Sequence, residues 1–288
     1  MTDTRQLESL TASGWVGTTS IPGLLSFTTK FESVVQQVQA LLTALDPSGT
    51  SGPSWYASVI PRDDIVRGEY AASFPQLLGS VHSMRQAPND SEAGVGSAPV
   101  GELEESDVVL APTLCYHIYP HLAGVRIEEP HYFDLAGQCY RHEATSEYGR
   151  FRSFRIREFV AIGTPELAHE WRDGWIERGE QLFNRLGVKV SVQQATDPFF
   201  GPGDRFKRAS QLQRSLKYEF VAPVYDGDPG TALASANRHN DHLCGRFAIQ
   251  LAGGDRAHSS CVGFGLERIV SALIQAHGPA LENWPELA

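Results

Sequence analysis

Arg141-His142-Glu143 closes one strand-like run, Phe133 to Tyr140. Arg155-Ile156-Arg157-Glu158-Phe159 opens into a second, Ile156 to Ile162. The two runs predict two strands joined by a polar, arginine-rich loop. Residues two apart on a strand point to the same face, so Arg141 and Glu143 project together. A cation and an anion aimed into one cleft suit a ligand with an anionic part and a donor-bearing ring. ATP is such a ligand, its phosphates matching Arg141 and its exocyclic amine Glu143. The loop adds Arg150 and Arg152 to neutralise phosphate charge, and Phe154 to stack on a base. Alone, this segment reads equally well as a ladder of cross-strand ion pairs on an exposed sheet.

Outward from this pair, Leu25 to Leu45 predicts a helix whose inner face is Phe31, Val34, Val35, Val38, Leu41, Leu42 and Leu45. Asp46-Pro47-Ser48-Gly49 stops it. Trp55 to Ile60, bounded by Pro53 and Pro61, predicts a strand. Residues 86–107 are rich in Pro, Gly, Ser and acids and predict a mobile surface loop. Further on, Pro165–Leu186, Asp204–Leu216 and Leu266–His277 predict helices. Val188–Val192, Tyr218–Val224, Arg246–Leu251 and Ser260–Phe264 predict strands. Strand–loop–strand units with the helices set apart indicate an α+β fold, a mainly antiparallel sheet covered by helices.

With 288 residues, 41% of them hydrophobic, the chain can bury a full core. No apolar run is long enough to span a bilayer and the first residues are polar, so a cytoplasmic location without membrane attachment is expected. The formal net charge of −10 argues against a surface devoted to nucleic acid. Cys115, Cys139, Cys244 and Cys261 contain no CxxC pair, so spacing leaves both buried apolar residues and metal ligands open.

A second segment, Gly263-Phe264-Gly265-Leu266-Glu267-Arg268, runs from strand to helix. Gly263 and Gly265 permit close approach of a ligand, and Arg268 in the first helical turn can reach a phosphate or stack on a base. In order and separation, the two segments resemble motifs 2 and 3 of class II aminoacyl-tRNA synthetases. Within that class the chain is most similar to seryl-tRNA synthetase. Leu110-Ala111-Pro112-Thr113 is similar to that enzyme's Leu-x-Pro-Thr segment. The strand Trp55 to Pro61 resembles motif 1, which implies a homodimer. The resemblance runs from Leu25 to the C-terminus, giving an expected catalytic domain over 25–288 after an N-terminal segment, 1–24.

It also implies roles. Arg141 and Arg268 would carry catalysis, Arg141 at the α-phosphate. Glu143, Arg152, Phe154, Asn237, Gly263, Gly265 and Arg268 would complete the ATP site with Mg²⁺. The acid expected before Ser235 is missing from Thr231–Ala234, so the Mg²⁺ contact is expected either from another acid, such as Glu219, or to be weaker. Cys115, Glu158 and Cys261 match the Cys/Glu/Cys zinc site of the methanogen-type seryl enzymes. Two thiolates and a carboxylate leave one tetrahedral position for a substrate amine. Cys139 and Cys244 fall outside that set and are expected to be structural.

Only the segment 1–24 precedes the motif 1 helix, so a tRNA-binding domain like that of seryl enzymes is not expected. A truncated, zinc-bearing core of this kind resembles the bacterial amino acid:carrier-protein ligases. That resemblance implies activation of glycine or alanine to an aminoacyl-adenylate, and transfer to the phosphopantetheine thiol of an acidic carrier protein rather than to tRNA. The alternatives are a tRNA-charging seryl-type enzyme lacking its tRNA domain and a non-catalytic paralogue that binds ATP or an amino acid. The basic stretch Arg205, Lys207, Arg208 and Arg214 would dock that carrier by charge complementarity. A solvated helix face is the other reading of the same four residues.

Overall fold

The protein is described by a computed structural model covering residues 2–49, 51–84, 103–142 and 147–286. Helix α1 (Thr2–Ala12) leads into a small hairpin, β1 (Val16–Thr18) and β2 (Leu25–Phe27), and then α2 (Thr29–Leu45). Short strands β3 (Ser54–Tyr56) and β4 (Val59–Pro61) and helices α3 (Arg62–Arg67) and α4 (Tyr70–Ser73) follow. Next come β5 (Ser80–Met84), β6 (Leu103–Leu110), α5 (Ile118–His121) and β7 (Arg126–Ile127). The central pair is β8 (His131–Tyr140) and β9 (Ser153–Gly163), then α6 (Pro165–Arg185), β10 (Ser191–Gln194) and α7 (Asp204–Gln213). The chain ends with β11 (Lys217–Ala222), β12 (Thr231–Asn240), α8 (His242–Arg246), β13 (Gln250–Leu251), β14 (His258–Gly265) and α9 (Leu266–His277).

Seven strands form the main sheet in the order β10-β11-β12-β14-β9-β8-β3. All neighbours are antiparallel except β3 and β8. This is the expected α+β sheet with helices to one side. The apolar stripes of α2, α6 and α9 cover that side, against Phe159, Phe220, Ala236, Val262 and Phe264. Phe159 stacks on Trp175 at 4.1 Å between ring centres, with both rings buried. Truncating either to Ala removes roughly 3–5 kcal/mol.

Several boundaries differ from the pattern reading. Leu25–Phe27 is a strand, because Leu25 and Phe27 pair with β1, and the helix begins only after Thr28, whose Oγ1 accepts from the Phe31 N–H. Trp55–Ile60 divides into β3 and β4, which join different sheets. Arg246–Leu251 is the end of α8 followed by the two-residue β13, with Ala248 in the left-handed region between them. The strand expected over Val188–Val192 is shifted to Ser191–Gln194, and α7 ends at Gln213 rather than Leu216. Of the loop expected over 86–107, residues 103–107 belong to β6, which pairs with β5. The remainder lies outside the described residues.

Candidate active site

The sheet face opposite the main helices forms the floor of a cleft of ≈ 1340 Å³. This exceeds the roughly 300–1,000 Å³ of a single small-ligand pocket, leaving room for a nucleotide and a second reactant. Strand register sets its chemistry in rows. Glu219, Ser235, Gly263 and Glu158 are successive partners across β11, β12, β14 and β9. The next row holds Lys217, Asn237 and Cys261. One strand thus supplies Cys261, Gly263 and Gly265 at steps of two, all facing the cleft.

Arg141 lies just past the end of β8 and lines the cleft. Its Nε donates to the Pro112 carbonyl at 3.2 Å, and its guanidinium sits 5.3 Å from the centre of the Phe154 ring. A cation over this ring holds the two side chains together in the cleft wall. Arg268 also lines the cleft. Its Nε donates to the Gly149 carbonyl at 2.8 Å and its Nη1 to the Ala232 carbonyl at 2.9 Å, tying the loop after β8 to β12. A Cβ at Gly263 or Gly265 would make only ordinary contacts with protein, 3.4 Å or more, and neither φ is positive. Their lack of side chains therefore leaves cleft space open. Arg152 is not among the lining residues. Arg150 is, paired with Glu147 at 3.5 Å. Glu143 lies outside the described residues.

A second cluster occupies the other end of the floor. Cys115 enters from the turn after Pro112 and Cys261 from β14, both buried. His239 joins them: the two Sγ atoms and an imidazole nitrogen lie within 4.8 Å of one another. His239 Nε2 is 3.4 Å from Cys261 Sγ. Glu158 stands beside the thiols, its Oε2 accepting from Thr113 Oγ1 (3.2 Å), Leu114 N–H (3.1 Å) and Cys115 N–H (3.0 Å). Asn237, expected at the nucleotide, donates instead to Ser235 Oγ (3.3 Å) and towards Cys261 Sγ (3.6 Å).

Contact with Cys115, burial and the Glu158 charge push the Cys261 thiol well above the usual range. For Cys115 the contact with Cys261 favours the thiolate, but burial and Glu158 outweigh it and the thiol is raised. Desolvation, with His242 nearby, pushes His239 down to about 4, so it is a neutral imidazole at pH 7. Two thiols and a neutral imidazole are donors that zinc takes, and a divalent cation would deprotonate the thiols outright. Glu158, expected as the third ligand, stands next to this group and is not one of its three members. Cys139 and Cys244 lie apart. Burial raises both thiols, Cys244 to about 12, as expected of structural cysteines.

Glu219, the candidate Mg²⁺ ligand, faces the cleft opposite Ser235 and pairs with Lys217 at 3.2 Å. Lys217 also holds Asp197 at 2.6 Å. Burial works against the Asp197 charge, but Lys217 and the hydrogen bond from Gln211 prevail and its pKa is lowered. No sequence motif marked this trio. The lone His239 was equally unmarked, its only signal being a β-strand step of two from Asn237.

Helix α7 borders the cleft mouth, with Lys207 and Arg214 among the lining residues. Arg208 donates to the Phe199 carbonyl at 2.8 Å and to Asp204 at 3.1 Å, so part of its charge is already matched. Arg205 and Lys207 are exposed, and Phe206 between them is 83% exposed.

Residues 101–277 match the model of the tRNA synthetase class II core domain (G, H, P, S and T). The fold agrees: M. kandleri SerRS, solved in complex with A. aeolicus tRNASec, superposes with a TM-score of 0.81. It has 22% identity and covers 97% of this chain and 58% of that one. The chain is 35% identical over 271 residues to amino acid–acyl-carrier-protein ligase 1 of Bradyrhizobium diazoefficiens, covering 91% of this chain and 82% of the relative. Ligase 2 of the same organism is 34% identical over 272 residues, covering 92% and 81%. The chain belongs to the amino acid–acyl-carrier-protein ligase family. It is more distantly similar to the type-2 serine–tRNA ligase of Methanococcus maripaludis, at 26% identity over 81% of this chain and 49% of the relative.

Proposed function

We propose that this enzyme activates a small amino acid, glycine or alanine, with ATP and ligates it to the phosphopantetheine thiol of an acyl carrier protein. The observation that carries the reading is one cleft with two chemically distinct ends. Arg141, Phe154 and Arg268 line one, and a cysteine–histidine–carboxylate cluster lines the other. At the first end, Arg141 would neutralise charge developing on the α-phosphate, and Phe154 with Arg268 would hold the adenine. Arg150 replaces Arg152 as the loop arginine best placed for the β/γ end, and Glu219 is the acid best placed for Mg²⁺. At the second end, Cys115, Cys261 and Glu158 would hold zinc, which supplies a Lewis-acid position for the substrate's α-amine. Attack by the carboxylate on the α-phosphate releases pyrophosphate, and the carrier thiol then displaces AMP.

The carrier would dock on α7 through Arg205, Lys207 and Arg214, whose charge contrasts with the net −10 of the chain. A homodimer through β3 is part of this reading, supported by Trp55, 65% exposed on the strand at the sheet's edge. No helix among the described residues is long and apolar enough to cross a membrane, in keeping with a cytoplasmic enzyme.

ATP–pyrophosphate exchange with each amino acid, followed by transfer to holo carrier protein or to bulk tRNA, tests the reading. Exchange with glycine or alanine and a thioester product are expected. Charging of tRNA without thioester formation would overturn the carrier assignment. Elemental analysis should find about one zinc per chain, lost in Cys261→Ser.

A further inference from the structure

We infer that His239 is itself a ligand of the metal bound by Cys115 and Cys261, filling the coordination position in the absence of substrate. This rests on the zinc reading above and adds a protein donor that the Cys/Glu/Cys pattern does not contain. A tetrahedral zinc with bonds of about 2.3 Å to sulfur and about 2.0 Å to nitrogen separates the two donors by roughly 3.5 Å. His239 Nε2 and Cys261 Sγ are 3.4 Å apart, and both lie with Cys115 Sγ inside a 4.8 Å limit.

The rest of the ring is arranged as a metal-bound imidazole requires. Nδ1 is 3.0 Å from Tyr119 Oη and 3.2 Å from Ser259 Oγ, and these hydroxyls are 3.0 Å from each other. Either can accept the Nδ1 proton, which leaves the Nε2 lone pair directed at the sulfurs and fixes the ring plane. Backbone geometry contributes as well. The register of β12 against β14 shifts between Arg238 and Asn240, so His239 sits in a bulge, and Asn240 takes a positive φ of 51°. Bulges re-aim a side chain without breaking the sheet. A histidine meant only to fill core space would not need this aim, nor a face on the cleft.

Cys115, Cys261 and His239 are the donors grouped within reach of one ion, and with Glu158 turned onto the metal as the fourth, zinc would have no vacant tetrahedral position. The substrate amine must therefore displace one donor. His239 is the one to leave, because it is half-buried and open to the cleft, whereas both thiols are buried and Glu158 is anchored by three donors. Amine recognition becomes an exchange of one nitrogen ligand for another, which discriminates against ligands lacking an amine.

The test is X-ray absorption at the zinc edge of the purified wild-type protein, where outer-shell scattering counts imidazoles. One imidazole per zinc is expected without substrate, falling towards zero with a non-hydrolysable glycyl- or alanyl-adenylate analogue. His239→Ala should lose the imidazole signal and bind zinc more weakly in chelator competition, by at least the roughly 10–100-fold that loss of a ligand-orienting partner costs. Zinc bound through sulfur and oxygen alone in the substrate-free wild type would overturn this inference while leaving the zinc site intact. An imidazole count unchanged by the analogue would overturn the exchange. Absence of zinc altogether would overturn the underlying metal reading. The wild-type spectra decide even where the variant fails to fold.

Discussion

The two faces of β9 carry charge to opposite ends. On the helix side, Arg157 is fully buried and its Nη2 meets Asp134 at 2.6 Å, while Nη1 and Nη2 also donate to the Gln39 carbonyl and Thr43 Oγ1 of α2. Arg155 is held by Glu32 at 2.5 Å and Glu267 at 2.7 Å. On the cleft side, Phe154, Ile156 and Glu158 alternate with those arginines and line the space where substrates would sit. Charges on the helix face are matched by side chains from other elements, so they lock helices to the sheet. Groups on the cleft face are held by backbone donors and acceptors, as Glu158 is at Leu114 and Cys115, which leaves their chemistry directed at a ligand.

The largest effect that would break this contrast falls on the helix face. Arg157→Leu strands Asp134 without its counter-charge and should destabilise the fold by about 3–5 kcal/mol, read from denaturant midpoints. If that variant kept wild-type stability, the helix face would not be the structural one. On the cleft face the pattern inverts. Arg141→Ala should reduce ATP–pyrophosphate exchange by roughly 10²–10³-fold while the unfolding midpoint barely moves. A large midpoint shift with intact exchange would reverse the assignment.

The floor of the cleft has a half-buried pair of its own, Asp197 with Lys217, which sharpens the comparison through pH. The lowered pKa of Asp197 means the pair contributes fully above its ordinary value of 3.8, and the contribution is lost as pH falls through the lower folded value. Urea midpoints of Asp197→Asn should therefore be reduced at pH 7 and show a shallower decline below pH 3.8. An unchanged acid limb would mean that Lys217 does not hold this carboxylate. The smallest effect is at the rim. Charge reversal at Arg205 and Lys207 should slow carrier transfer several-fold, more at low salt, with exchange unaffected. Equal loss of both activities would indicate a folding defect in α7 instead.

Much of this was legible from residues two apart on strands. The two glycines before Arg268 marked the strand-to-helix junction, and the apolar spacing of α2 located its inner face. Boundaries were harder where two residues decide the outcome. Thr28 caps a helix that periodicity alone extends back to Leu25, and Ala248 turns the chain where apolar content predicts a strand. Arg155 and Arg157 belong to the same arginine-rich stretch as Arg141, and only the position of α2 and α9 shows that they are structural. Glu267, beside the motif arginine, is likewise engaged by Arg155.

By itself the sequence determined the alternating strands, the amphipathic helices and the two glycine- and arginine-bearing segments, because periodicity is a local property of a chain. Pairing was decided in three dimensions. Cys115 and Cys261 become neighbours only when the turn after Pro112 meets β14, and His239 reaches them only because β12 bulges beside its partner. Likewise Arg150 rather than Arg152 faces the cleft, a choice made by how the loop folds back. Residues far apart in the chain carry no mutual signal in one sequence, and strand register alone brings their donor atoms within bonding range of one ion.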